Sequence, residues 1–195
     1  MIGMIDYGAG NIASVINVLE ELNCKFIVSD HETELLKCEK IIFPGVGEAS
    51  SAIKRLYLSN LINMLRVTNK PLFGICLGMQ LLCDKSKEGN ICALGILPTS
   101  TEKFDETKVK VPHMGWNQVQ IKGESKLFTN ISNNSFFFFA NSYYVPLNEF
   151  TIGITDYNGE FSAAIQKDNY YGVQFHPEKS GPTGIQIIKN FIELC

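Results

Sequence analysis

The chain has 195 residues, 45% of them hydrophobic and 19% charged, enough apolar material for one buried core. A net charge of −3, a pI near 5.6 and the lack of a Lys/Arg run exclude a phosphate-backbone footprint, so nucleic acid is not expected as a partner. No apolar run approaches the ~18 residues of a membrane span, the opening MIGMIDYGAGN lacks a basic region ahead of an apolar one, and a soluble cytoplasmic protein is expected.

In chain order, Ile2–Ile5 reads as a buried strand that feeds the loop Asp6-Tyr7-Gly8. Ile12, Val15, Ile16, Leu19 and Leu22 make a helical stripe over Asn11–Leu22. Lys25–Ser29 and Lys40–Phe43 read as strands, the second closed by PGVG. Ala49–Val67 reads as one helix through Ile53, Leu56, Leu61 and Leu65. Pro71–Ile75 is a fourth strand, and a helix opens at Leu77–Cys83. Strand and helix alternate, which predicts a parallel sheet with helices on both faces.

The second half changes character. Trp116–Ile121, Phe136–Val145, Thr151–Asp156, Phe161–Gln166 and Tyr170–Phe175 are strand-like and separated by Gly/Asn/Asp turns, and Thr183–Leu194 closes as an amphipathic helix. The run FFFF at 136–139 reads as a strand buried on both faces, and Tyr144 as core. With no repeat or linker, residues 1–195 are expected to form one α/β domain around a mostly parallel, mixed sheet.

Six cysteines stand at 24, 38, 76, 83, 92 and 195, none spaced as C-x-x-C, and they read as reduced thiols. Neither metal nor cofactor is expected. Cys76 stands apart because GICLG has the form G-x-nucleophile-x-G, a sharp strand-to-helix turn that lifts a nucleophile off a sheet. The following helix start favours negative charge on the sulfur, and the Leu77 N–H points where an oxyanion would form. The bland alternative is a buried cysteine in a Gly-rich bend.

A nucleophilic thiol needs a base. Of three histidines, His31 lies in a charged loop, His113 in VPHMGWN, and His176 after the strand YYGVQF. Pro177 pushes His176 extended, so Glu178 can share its face and hold its ring. Cys76 and His176 both follow apolar strands, and strand ends of a doubly wound sheet converge on one edge. A strand-capping histidine is the other reading. Two glycine loops compete for attention. GAGNIA, with Gly8, Gly10 and Ala13, matches a dinucleotide fingerprint, and Asp30 follows the next strand as its ribose acid. FPGVGEA could aim an N–H at an oxyanion or be an ordinary turn.

GICLGMQLL together with QFHPEKSG resembles the class I glutamine amidotransferases. IDYGAGNIASV, FPGVGEA, VPHMGWN and HPEKSGPTG extend that resemblance, over nearly the full length, to glutaminase subunits of imidazole glycerol phosphate synthase. The resemblance implies that Cys76 attacks the glutamine amide to form a γ-glutamyl thioester, that His176 shuttles protons and that Glu178 orients it. It implies an oxyanion hole from the Leu77 and Val46 N–H groups, and a glutamine seat at Gly47, Gln80, Ser142 and Tyr143. It places Asn11, Met114 and Trp116 near a partner, a (β/α)₈-barrel cyclase that completes a heterodimer and uses the released ammonia to make imidazole glycerol phosphate and AICAR. One departure stands out: ANSYYV puts Asn141 where the family commonly has histidine. A glutaminase serving a surface-sugar amidotransferase is therefore the second reading, and a dinucleotide-binding protein a third.

Overall fold

The computed structural model describes residues 1–8 and 12–195. Its first half alternates: β1 (Ile2–Ile5), α1 (Ala13–Glu21), β2 (Phe26–Ser29), α2 (Glu32–Leu35), β3 (Lys40–Phe43), α3 (Ala49–Leu58), α4 (Leu61–Val67), β4 (Leu72–Ile75) and α5 (Leu77–Gln80). The second half is strand-rich: β5 (Cys83–Ser86), β6 (Ile91–Cys92), β7 (Leu97–Lys103), β8 (His113–Ile121), β9 (Ser135–Asn141), β10 (Tyr143–Tyr144), β11 (Thr151–Asp156), β12 (Glu160–Lys167) and β13 (Tyr170–Val173), then α6 (Gly181–Leu194).

Among the described residues nine strands form one sheet in the order β2-β1-β3-β4-β13-β12-β11-β8-β9. The pairs from β2 to β13 are parallel and those from β13 to β9 antiparallel. The mixed sheet is therefore as expected. Alternate side chains feed two cores on opposite faces: Met4, Ile42 and Phe73 pack with Val15, Leu19 and Ile188, whereas Ile5, Ile41 and Leu72 pack with Leu56, Leu61 and Leu65. Helices α1 and α6 thus cover one face, and α3 and α4 the other.

Four expectations need correction. The helix expected over Ala49–Val67 is two helices, because Asn60 adopts a left-handed φ of 57° that breaks the first and starts the second. The helix after Cys76 is a single turn, because the chain passes directly into β5. The segment Phe136–Val145 is two strands, β9 and β10, which pair in different sheets. Phe136–Phe139 is not buried on both faces: Phe137 and Phe139 are fully buried while Phe136 is 54% exposed. The reason is that this end of the sheet is covered on one face only: Met114 and Trp116 of the adjoining inner strand β8 are exposed on the same side. Tyr144 lies half-buried at the margin of the core and stacks on Phe104.

A second sheet, β10-β7-β5-β6, was not foreseen. It grows out of the chain just after the Cys76 turn and returns through β10, so that residues 140–143 stand beside that turn.

Candidate active site

Three glycines bring β3, β4 and α5 into close approach. A Cβ on Gly78 would lie 2.0 Å from the Phe43 carbonyl oxygen, and one on Gly45 would lie 2.2 Å from the Gly78 nitrogen. A Cβ on Gly74 would lie 2.7 Å from the Gly78 carbonyl carbon. No larger residue fits any of the three without moving backbone. Between them Cys76 is forced to φ 52°, ψ −108°, a conformation that a β-carbon disfavours. Its N–H donates to the Val173 carbonyl at 2.7 Å, and its own carbonyl accepts from the Gln80 N–H at 3.1 Å. The bend is therefore held by hydrogen bonds at both ends, which lifts the side chain off the sheet.

Parallel pairing of β4 with β13, with Ile75 opposite Val173, carries Cys76 and the segment 174–178 to the same sheet edge. His176 is extended, at φ −98° and ψ 95°, and its N–H donates to the Phe138 carbonyl at 2.8 Å. Ser180 locks this segment: its hydroxyl donates to the His176 carbonyl at 2.6 Å and accepts from the Phe138 N–H at 2.9 Å. Glu178 Oε1 lies 2.8 Å from His176 Nδ1, with both side chains almost wholly buried. That contact leaves Nε2 for another partner. Burial alone would lower the His176 pKa, but interactions with the Cys76 sulfur and the Glu178 carboxylate outweigh it and push the ring up to about 10.

A cavity of about 260 Å³ opens onto Cys76 and His176. Val46, Gly47, Leu77, Gln80, Ser142 and Tyr143 line it. The Leu77 N–H donates to the Gly45 carbonyl at 3.3 Å, so this donor is engaged within the protein. Gly47 has φ +102° and open space where a Cβ would stand. Gln80 Nε2 donates to the Tyr143 carbonyl at 2.8 Å, and Asn141 Nδ2 donates to the same oxygen at 2.9 Å. Asn141 thus braces the turn between β9 and β10.

Sequence reasoning missed two charged groups in the cavity wall, Glu88 and Lys179. Glu88 Oε2 accepts from the Ala49 N–H at 2.9 Å, and burial raises its pKa. No motif marks Glu88; it reaches the cavity only because the unforeseen small sheet carries it there. It also missed Gln174, whose Nε2 stands 3.5 Å from Cys76 Sγ.

Met114 and Trp116 lie on the exposed side of β8, 61% and 56% exposed, opposite Ala140 and Phe138 of β9. Asn11 and Gly10 fall outside the described residues. Gly8 and Asp30 line a separate cavity with Asp6 and Arg55. There the Gly8 N–H donates to Asp6 Oδ1 and Arg55 Nη1 donates to the Gly8 carbonyl. With two carboxylates in its wall and its cation engaged, that cavity is poorly suited to a pyrophosphate. No cluster of metal-ligating residues occurs among the described residues, and none of their helices is long and apolar enough to cross a membrane.

Residues 3–194 match the family model "Glutamine amidotransferase class-I". The chain is 47% identical over 195 residues to the imidazole glycerol phosphate synthase subunit HisH of Bacteroides fragilis, covering 99% of each. It is also 47% identical over 197 residues to the subunit of that name from Methanocaldococcus jannaschii, covering all of both. Among solved structures it resembles a glutamine amidotransferase with a TM-score of 0.76 at 16% identity, over 99% of this chain and 97% of that one. A glutamine amidotransferase of Thermotoga maritima gives 0.68 at 18% identity, over 98% and 80%. Those two likenesses concern the fold alone, whereas the full-length sequence match carries the assignment: the chain belongs to the class I glutamine amidotransferase family.

Proposed function

We propose that this chain is the glutaminase subunit of an imidazole glycerol phosphate synthase, hydrolysing glutamine to glutamate and ammonia for a cyclase partner in histidine biosynthesis. One observation carries the reading: Cys76, on its strained turn, opens onto one cavity beside His176, whose ring the buried Glu178 holds. Full-length similarity to subunits of that name favours the cyclase over a sugar amidotransferase as the partner.

In this reading the Cys76 sulfur adds to the side-chain carbonyl carbon of glutamine. The carbon becomes tetrahedral and its oxygen takes the negative charge. His176 gives its proton to the amide nitrogen, ammonia leaves, and a γ-glutamyl thioester remains on Cys76. His176 then accepts a proton from water as the water attacks the thioester, and glutamate departs with the sulfur again anionic. Glu178 holds the ring through Nδ1 and stabilises its cation. Leu77 and Val46 supply oxyanion donors once the Gly45 carbonyl releases the Leu77 N–H. That engaged donor gives the loop 44–47 a resting state, which docking of a partner would convert. The Glu88 carboxylate suits the α-ammonium of glutamine, and Gly47, Gln80, Ser142 and Tyr143 seat the rest. The exposed apolar strip of Met114 and Trp116 with Phe136 suits the (β/α)₈-barrel partner of a heterodimer.

Glutamate release, measured first with the chain alone and then with the cyclase of the same organism and its nucleotide substrate, tests this. A large rise on adding the cyclase is expected, and Cys76→Ala removes it. Silence of the wild type beside a folded, functional cyclase would overturn the proposal.

A further inference from the structure

We infer that Gln174 is a positioning residue for the Cys76 sulfur, its side-chain amide donating the hydrogen bond that holds the negative charge there. The inference rests on the reading of Cys76 as the nucleophile. Gln174 is fully buried directly after β13, and its backbone N–H donates to the Ala163 carbonyl at 2.8 Å. Its Nε2 stands 3.5 Å from Cys76 Sγ, a hydrogen-bond distance for sulfur. At its other end Oε1 accepts from Gln80 Nε2 at 2.9 Å, and that same nitrogen donates to the Tyr143 carbonyl.

The neighbours decide which way the amide points. The Tyr143 carbonyl can only accept, so Gln80 presents its NH₂ to that oxygen and to Gln174. Gln174 must therefore answer with its oxygen, which leaves its NH₂ for the sulfur. Turned end for end, NH₂ would face NH₂ and a carbonyl would face the sulfur lone pairs. A fully buried N–H aimed at sulfur is a strong donor to a thiolate and a weak one to a thiol.

Gln174 and His176 lie in the short segment that follows β13, and both serve the sulfur from there. They differ in one respect: His176 titrates and Gln174 does not. When His176 has passed its proton to the departing ammonia, the Gln174 donor is still present. It is present again when the thioester breaks and the sulfur leaves as an anion. Because Gln80 lines the cavity, the Gln80–Gln174 link also ties what occupies the cavity to the sulfur.

Alkylation of Cys76 by iodoacetamide as a function of pH tests this on the full chain, read by peptide mass mapping against the exposed Cys92. Gln174→Met is similar in size and donates nothing. Below the wild-type midpoint its Cys76 alkylation is expected to fall about tenfold or more relative to Cys92, the effect of losing a hydrogen bond to a charged group. The midpoint of the profile moves to higher pH while the rate well above that midpoint matches the wild type. A folded variant with an unmoved midpoint overturns the inference. If Gln174→Met does not fold, the wild type decides. The Gln174 side-chain amide resonances should shift with the same midpoint as Cys76 alkylation, and Cys76→Ala should abolish that shift. Resonances indifferent to Cys76 overturn the inference. Neither readout involves glutamine turnover, so failure of the glutaminase reading would show separately, in the glutamate assay.

Discussion

His176 Nδ1 and Glu178 Oε1 meet at 2.8 Å although only Pro177 separates their residues. The proline makes this contact local: it keeps His176 extended, and the short 3₁₀ turn of residues 177–179 brings Glu178 back beneath the ring. The pair is thus built into five consecutive residues and pinned at Ser180.

Because the carboxylate acts through the ring, its loss should be milder than loss of the base. His176→Ala is expected to lower kcat for glutamate release by about 10³-fold or more, and Glu178→Gln by roughly tenfold less than that. Steady-state kinetics in the presence of the cyclase would check the order. Equal activity in both variants and the wild type would remove the pair from the mechanism.

The Ser180 hydroxyl joins the His176 carbonyl to the Phe138 N–H of β9. Ser180→Ala leaves the Phe138 N–H without that partner, while the His176 carbonyl keeps the Lys179 N–H, so a loss of about 1–3 kcal/mol is expected from the urea midpoint. Turnover should fall as well, because His176 keeps only its own N–H bond to the Phe138 carbonyl as an anchor to β9. Wild-type stability with wild-type turnover would refute this.

Gly78→Ala drives a Cβ to 2.0 Å from the Phe43 carbonyl oxygen. Backbone must shift at the one place where Cys76 is aimed. A destabilisation of about 3 kcal/mol is expected, with glutamate release lost even where the chain still folds. Thermal unfolding and the glutamate assay on the same preparation would check both.

Two histidines should give opposite pH trends in stability. Burial pushes the His113 pKa down to about 4, against about 6.5 in an unfolded chain. Between those values only the unfolded state takes the proton, so stability is full above about pH 6.5 and falls as the pH drops toward about 4. His176, raised to about 10, contributes stability that is full below about pH 6.5 and is lost as the pH rises through about 10. The His113 ring stacks on Tyr157 at 4.0 Å and on Phe139 at 4.9 Å, with a buried Nδ1 that has no partner. His113→Phe should keep the stacking and flatten the acid limb of a urea-midpoint series. An unchanged acid limb would refute the assignment.

What was legible in the sequence was local or periodic. The buried parallel strands announced themselves as short apolar runs, and Thr151–Asp156 emerged with its expected bounds. GICLG and FHPE were readable because each packs its geometry into a few residues. The break at Asn60 was hidden because the apolar stripe of α3 continues across it into α4, and only a backbone sign change separates them. Glu88 and Gln174 were hidden for a different reason. Their roles depend on which strands lie side by side, the small sheet for one and the β4–β13 pair for the other, and no periodicity encodes adjacency. The exposed side of Phe136 likewise follows from one face of β8 and β9 lying open, which the run FFFF does not express.

The β4–β13 pair has a consequence for how the chain is made. Everything between Ile75 and Val173 must be looped out before those two residues can stand opposite each other. Closing so long a loop is entropically slow, and parallel pairing of distant strands comes late. The Cys76 N–H bonds to the Val173 carbonyl, so the strained turn gains its last brace only at that moment. During refolding from urea, the sulfur should therefore acquire its special reactivity after most helical signal has returned. A nascent chain still emerging from the ribosome would carry an inert thiol until its final strand had been synthesised.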